Sequence, residues 1–282
     1  MMRILYFVPI VILSPAHMPV SADGQDRPVQ TAPAAKAPND NIVVTGAKDK
    51  KPPPSPLPPG VAATSRQIAS DAGVFARCVK GTALELERTV VEGHPSDGKT
   101  RRALDRLIRS HAGCYPRFRP PLQNQTEFFG RCNLVVADPQ FKIVMCRAPY
   151  DRMAIVEQAF LSYAPHFMLS RADTLDKAVI GRFDARETAR GKYRTPLDRR
   201  YYDAVACMVQ LEPESAVRLI RTPFGSGNEA TLRAAIIAKT SRCTQNAKKV
   251  SVDPPQFRGY VADALYHWTI AAKGIETLVP AN

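Results

Sequence analysis

Apolar residues at Ile68, Ala69, Ala72, Phe75, Ala76 and Val79 recur at the spacing of a helix that buries one face, and Thr64 or Ser65 supplies a capping hydroxyl ahead of them. A second helix is predicted over residues 84–91, stopped by Gly93 and Pro95. A third is predicted over residues 99–112, where Ala103, Leu104, Leu107, Ile108 and His111 share a face before Gly113. The same order then returns over residues 197–209, 214–220 and 229–239, with Pro213 at a favoured first-turn position. A fourth helix closes each series, over residues 151–163 and 256–272. Residues 175–190 read as a connecting helix weakened by Gly181.

The two series are in register with their cysteines. Cys78 and Cys114 have the separation of Cys207 and Cys243, and superposing the pairs lays Glu85 on Glu214, Gly98 on Gly227, and Leu107 and Ile108 on Ile236 and Ile237. The chain therefore reads as mainly α, with two tandem disulfide-clasped helical repeat units at residues 64–165 and 195–275, joined by residues 166–194. The first unit carries an insertion over residues 131–147. In it Asn133, Leu134, Val135 and Val136, a turn at Asp138 and Pro139, and then Phe141 to Met145 predict a β-hairpin with Cys132 and Cys146 placed to cross-link it. Duplicated spacing favours Cys78 with Cys114, Cys207 with Cys243 and Cys132 with Cys146, although sequence alone leaves other pairings open.

The start of the chain has a different character. Arg3, an apolar run from Ile4 to Leu13 and the small residues Val20, Ser21 and Ala22 form a signal-peptide pattern over residues 1–22, too short for the about twenty apolar residues of a membrane-spanning helix. Residues 23–63 are rich in Pro and Ala and read as a disordered linker. Inside that linker, the stretch Asn41, Ile42, Val43, Val44, Thr45, Gly46 resembles the short segment before the plug of TonB-dependent outer-membrane receptors. No receptor barrel follows, so it reads as a strand in a leader that is able to add to a partner's sheet edge. Export to an oxidising compartment is the setting in which six cysteines pair with one another rather than bind metal.

Cys207, Cys243, Arg258, Gly259, Asp263 and Tyr266 carry a further resemblance, with Met153 standing in the first unit where the second has its glycine. Over roughly residues 65–270 the chain resembles uncharacterised exported proteins of sphingomonad-type alphaproteobacteria. The resemblance implies location and architecture, and no activity.

Charge adds a surface. The formal net charge is +13, and Lys99, Arg102, Arg106, Arg109, Arg117 and Arg119 concentrate it on and just after the third helix, opposite Leu104 and Leu107. Such a stripe attracts anions over long range. After export those anions are lipopolysaccharide, phospholipid head groups, acidic glycans or an acidic protein, and nucleic acid is not expected. The competing reading is a basic, solvated face without a partner.

Chemical signatures are weak. Cys78, His94, His111 and Cys114 offer the ligand types of a zinc site, but the second unit keeps only the cysteines and has Pro223 and Thr240 at the histidine positions, which favours disulfides and no metal. Asp263 and His267 lie one helical turn apart, the spacing of an ordinary surface pair or of a base with its orienting carboxylate. Residues 225–228 read as an interhelical turn, without a phosphate-loop lysine or a dinucleotide fingerprint, and no cofactor is implied. Arg152, Glu157, Arg258 and Asp263 read as structural polar residues that anchor the closing helices. The expectation is an exported, periplasmic or secreted binding or interaction protein. The alternatives are an enzyme acting on an envelope polymer, drawing on His94, His111, Glu157, Asp263 and His267, and a structural spacer.

Overall fold

The computed structural model describes residues 57–116, 128–138, 143–247 and 250–281. The signal-peptide pattern, the Asn41 to Gly46 stretch, most of the Pro-rich leader, Arg117 and Arg119 lie outside them.

The first unit consists of α1 (Pro59–Val79), α2 (Leu84–Glu92) and α3 (Gly98–Ser110), then a short α4 (Phe128–Arg131), a hairpin of β1 (Leu134–Asp138) and β2 (Ile143–Cys146), and α5 (Ala148–Tyr163). Two connecting helices follow, α6 (Arg171–Leu175) and α7 (Lys177–Gly191). The second unit is α8 (Pro196–Leu211), α9 (Pro213–Arg221), α10 (Gly227–Lys239) and α11 (Pro254–Lys273). One constant offset carries α2 onto α9, α3 onto α10 and Cys78 onto Cys207. The starts of α3 and α10 are built alike: Asp97 accepts the Thr100 N–H and Ser226, at the matching position, accepts the Glu229 N–H. Cys78–Cys114 and Cys207–Cys243 close loops of sequence separation 36 with Cα atoms 5.7 Å apart in each unit. Cys132–Cys146 ties the hairpin, in which Leu134 faces Cys146 and Val135 faces Met145.

Several boundaries differ from the predicted ones. Helix α1 begins at Pro59 instead of Thr64, because proline is tolerated in the first turn, where its missing N–H has no helical partner anyway. The added residues have something to bury: Leu57, Val61 and Ala62 form a small core with Ile68, Ala72, Met145 and Tyr150, partly covered by the hairpin. The connecting segment is two helices rather than one. Asp176 breaks it and caps α7 by accepting the Ala178 and Val179 N–H groups, and α7 continues through Gly181 because Val179 and Phe183 bury its apolar face. A glycine inside a helix costs about 1 kcal/mol, which such burial offsets.

One core runs through both units and includes Phe75, Val91, Ile108 and Phe160 of the first and Val209, Ile220, Ile236 and Leu265 of the second. The closing helices α5 and α11 pack on each other at its centre. Arg152 of α5 reaches Asp263 of α11, whereas Glu157, further along α5, reaches Arg258, nearer the start of α11, so the two helices run antiparallel. Near their crossing, a Cβ on Gly259 would meet Met153 Sδ at 2.3 Å and Met153 Cβ at 2.9 Å. The departure at Met153 is thus one side of a large-to-small fit between equivalent positions of the two units.

Candidate functional site

On α3 the apolar stripe Ala103, Leu104, Leu107 and Ile108 is buried, which forces the intervening basic residues outward. Lys99, Arg102, Arg106 and Arg109 are all exposed. Arg109 is held by Asp105 one turn away, with Nε 2.8 Å from Oδ2, and its guanidinium stands 5.5 Å from the Phe129 ring. Lys99, Arg102 and Arg106 make no ion pair among the described residues. Helix α10 has the same outward face, and there the matching residues are Asn228, Thr231, Ala235 and Ala238. The fold does not require the positive charge on α3.

Arg152 and Arg258 perform matching structural tasks at the ends of α2 and α9. A helix leaves its last carbonyls without intrahelical donors. Arg152 donates to the carbonyls of Val90, Val91 and Gly93, and Arg258 donates to those of Leu219, Ile220 and Thr222, the corresponding positions. Each arginine then pairs with the carboxylate of the other unit. Arg152 is 3.0 Å from Asp263, and Arg258 grips Glu157 through Nε at 2.9 Å and Nη2 at 2.8 Å. At 2% and 5% exposure both arginine side chains are buried more fully than an anchor at a helix surface would be.

Around Asp263 the polar cluster is larger, because α7 adds Glu187 and Arg190 and the α7–α8 turn adds Arg194. Arg190 Nη2 lies 3.0 Å from both Asp263 oxygens and pairs with Glu187 through Nη1. Arg194 lies over the Tyr202 ring at 3.6 Å and bonds Asp198, which also accepts from Tyr260 and faces His94 Nε2 at 3.1 Å. Burial pushes the Asp263 carboxyl up, but Arg152 and Arg190 overcome it and hold the group well below the usual carboxylate range. His267 is fully buried, 3.5 Å from Asp263. Burial, reinforced by Arg190, lowers its pKa, and burial also lowers that of His94 despite the hydrogen bond to Asp198. Asp263 and His267 are therefore neither a surface pair nor an accessible base with its carboxylate.

Of the suggested catalytic residues, the structure brings His94, Asp263 and His267 into one buried cluster and leaves His111 and Glu157 apart from it. His111 is half-buried at the end of α3, with Nδ1 against the Leu107 carbonyl and Ser110, while His94 and His267 sit in the buried cluster. Of the five, only Glu157 lines an open cleft of about 470 Å³ between α1 and α5 on one side and the α9–α10 turn and start of α11 on the other. Among the described residues no group of three or more His, Cys, Asp or Glu side chains is placed to hold a metal ion. All six cysteines are bonded to one another, so the cysteines of the Cys78, His94, His111, Cys114 set are not thiolates. In comparisons with protein-family models, curated proteins and solved structures, none matches the chain.

Sequence reasoning did not find Arg190, Arg194 and Asp198. The signal was present as Arg182, Arg186, Arg190 and Arg194 at four-residue spacing through the connecting segment, a basic stripe as regular as that of α3. The later part of this stripe turns inward: Arg190 and Arg194 are buried and Arg186 is half-buried against Glu92, while Arg182, though exposed, bonds the Ala271 carbonyl.

Proposed function

We propose that this protein is an exported binding module that docks through the α3 face, Lys99, Arg102 and Arg106 foremost, onto an anionic component of the cell envelope. The observation that carries the reading is the contrast between α3 and α10, one charged and one neutral on the same scaffold. The buried stripes of both helices answer to packing. Arg109 has Asp105 and Phe129, but the exposed charges of Lys99, Arg102 and Arg106 answer to no ion pair among the described residues. Three disulfides suit an oxidising compartment, and no helix of the described residues is long and apolar enough to cross a membrane.

The test is sedimentation of the protein with phosphatidylcholine vesicles that contain or lack phosphatidylglycerol, over a salt series. Binding is expected only with the anionic lipid and is expected to fall as salt rises. The triple substitution Lys99→Gln, Arg102→Gln, Arg106→Gln is expected to weaken it about a hundredfold at low salt, from about 1 kcal/mol per basic residue near an anionic surface. Equal binding by the triple variant removes the α3 face from the explanation.

A further inference from the structure

The open cleft has a twin elsewhere in the molecule, and the twin is filled. Moved by the repeat offsets, the cleft positions Ala69, Gly73, Glu157, Leu161, Arg221 and Pro223 become Asp198, Tyr202, Asp263, His267, Glu92 and His94. Those are the residues against which α7 and the turn after it lie. Arg186 pairs with Glu92, Arg190 with Asp263, and Arg194 with Asp198 while stacking on Tyr202. Nearby, the Tyr193 and His94 rings are parallel at 6.4 Å, and Phe183 stacks on Trp268 at 4.0 Å. The groove beside α8 and α11 thus accepts a series of cationic heads on apolar stems, supplied by the chain itself.

Beside α1 and α5 no segment of the described residues plays the part of α7, and the charge balance is more positive. Asp198 is replaced by Ala69 and Glu92 by Arg221. Asp263 becomes Glu157, which Arg258 already neutralises from both nitrogens. Ala206 becomes Arg77, an exposed residue whose guanidinium lies beside Gly73 and makes no hydrogen bond or ion pair among the described residues. Met153, Leu161 and the exposed ring of Phe224 supply apolar wall. The loss of Asp198 and Glu92 and the gain of Arg221 and Arg77 disfavour a cation and favour an anion, while the volume of about 470 Å³ falls in the range of small-ligand sites, roughly 300–1,000 Å³.

We infer that this cleft is a binding site for a small anionic amphiphile, its carboxylate or phosphate head drawn to Arg77 and Arg221 and its apolar body laid against Met153, Leu161 and Phe224. The site shares no residue with the α3 face. It stands or falls separately from the docking reading.

The experiment titrates the oxidised full-length protein, carrying methyl-labelled methionine, with octanoate, acetate and octylammonium, and follows the Met153 resonance and backbone amides by NMR. Octanoate is expected to give a saturable shift at Met153 and at the amides of Leu161 and Phe224. Acetate is expected to bind at least about tenfold more weakly, and Arg77→Glu to weaken octanoate by about tenfold or more, the effect of one lost charge contact of some 1.4 kcal/mol. The Lys99, Arg102, Arg106 triple variant is expected to bind octanoate as the wild type does, and Phe224→Ala tests the apolar wall without touching charge. Octylammonium producing the same shifts, or no saturable shift with octanoate, overturns the inference. A response to an acidic helical peptide in place of octanoate would also overturn it and would make the cleft a protein-docking groove.

Discussion

The two units share a helix order, a clasp and an arginine that staples the end of a helix, so their differences cannot be charged to the demands of the fold. In the second unit, the groove between α8 and α11 is sealed by α7, and the α10 face is neutral. In the first, no segment of the described residues covers the matching groove, and the α3 face is basic. With helices in the same order, one unit reports what the architecture needs, and the surplus in the other marks where a partner is to be sought. By that reasoning the arginine staples are structural, while Lys99, Arg102 and Arg106 on α3 and Arg77 at the open cleft have no such task among the described residues.

The sharpest test of the shared part removes each staple. Arg152→Met leaves Asp263 buried with one of its partners gone and strands three carbonyls, a loss expected to cost about 4 kcal/mol, the range for breaking a buried ion pair. Arg258→Met strands the same number of carbonyls, but of its two carboxylates Glu157 is 22% exposed and can be hydrated at the cleft, and the buried Glu229, 3.9 Å away, keeps the Gly225 N–H. The expected cost there is about 2 kcal/mol, from hydrogen bonding alone. Urea denaturation of both variants measures the difference, and equal losses would show that the sealed and open sides are energetically alike.

The crossing of α5 and α11 comes next. Gly259→Ala places a methyl group inside the volume of Met153, and overpacking of this kind costs about 1–3 kcal/mol. Adding Met153→Ala is expected to recover part of that loss, so that the double variant is more stable than the sum of the two single losses allows. Strict additivity, read from thermal midpoints, would mean that the two positions do not compete for space.

How much of this was legible beforehand depends on the range of the interaction. Periodicity located the helices because its signal lies within one element, and cysteine spacing favoured the clasp pairing because the same separation occurs in both units. The partner of Arg152 was not legible. Glu157 stands five places ahead on the same helix and looks like its mate, yet the antiparallel packing of α5 on α11 brings Asp263 to it instead. The start of α1 was misplaced because Leu57 and Val61 are stabilised by a hairpin far along the chain. The inward turn of the α7 stripe was hidden for a different reason, since burial of arginines requires acids from α2, α8 and α11 that only the tertiary fold assembles. The α3 stripe was legible because its outward direction follows from the apolar stripe behind it.

A pH experiment then sharpens the sealed side. Burial and Arg190 hold His267 neutral in the folded state, with its pKa below the ordinary value near 6.5, while the unfolded chain binds a proton there. Between those two values the unfolded state carries more protons, so this histidine's contribution to stability falls as pH drops below 6.5, by up to about 1.4 kcal/mol per pH unit. Asp263, Glu187 and Arg190 face it. The carboxyl of Asp151, raised to about 6 by burial, acts in the opposite sense, recovering stability as it protonates at lower pH. Because Asp151 titrates in both proteins, the stability difference between wild type and His267→Phe isolates the histidine. That difference is expected to shift in favour of the variant between pH 7.5 and 5.5, measured by urea midpoints with their slopes. A pH-independent difference would mean that His267 titrates alike in the folded and unfolded states.

The smallest effect is the most telling for function. Lys99, Arg102 and Arg106 lie on a helix whose counterpart folds with Asn228, Thr231 and Ala235, so the triple glutamine variant is expected to keep its thermal stability to within about 0.5 kcal/mol, as surface changes away from caps and pairs do. Arg109 is left in place because its contacts with Asp105 and Phe129 give it a structural share. The converse substitution, Asn228→Lys with Thr231→Arg and Ala235→Arg, writes the α3 face onto α10. If docking depends on charge on an exposed helix face, that variant binds phosphatidylglycerol vesicles more tightly than the wild type at equal stability. If it does not, the position of α3 matters as well as its charge, and the surface around α4 and the hairpin, which the second unit lacks, belongs to the docking site.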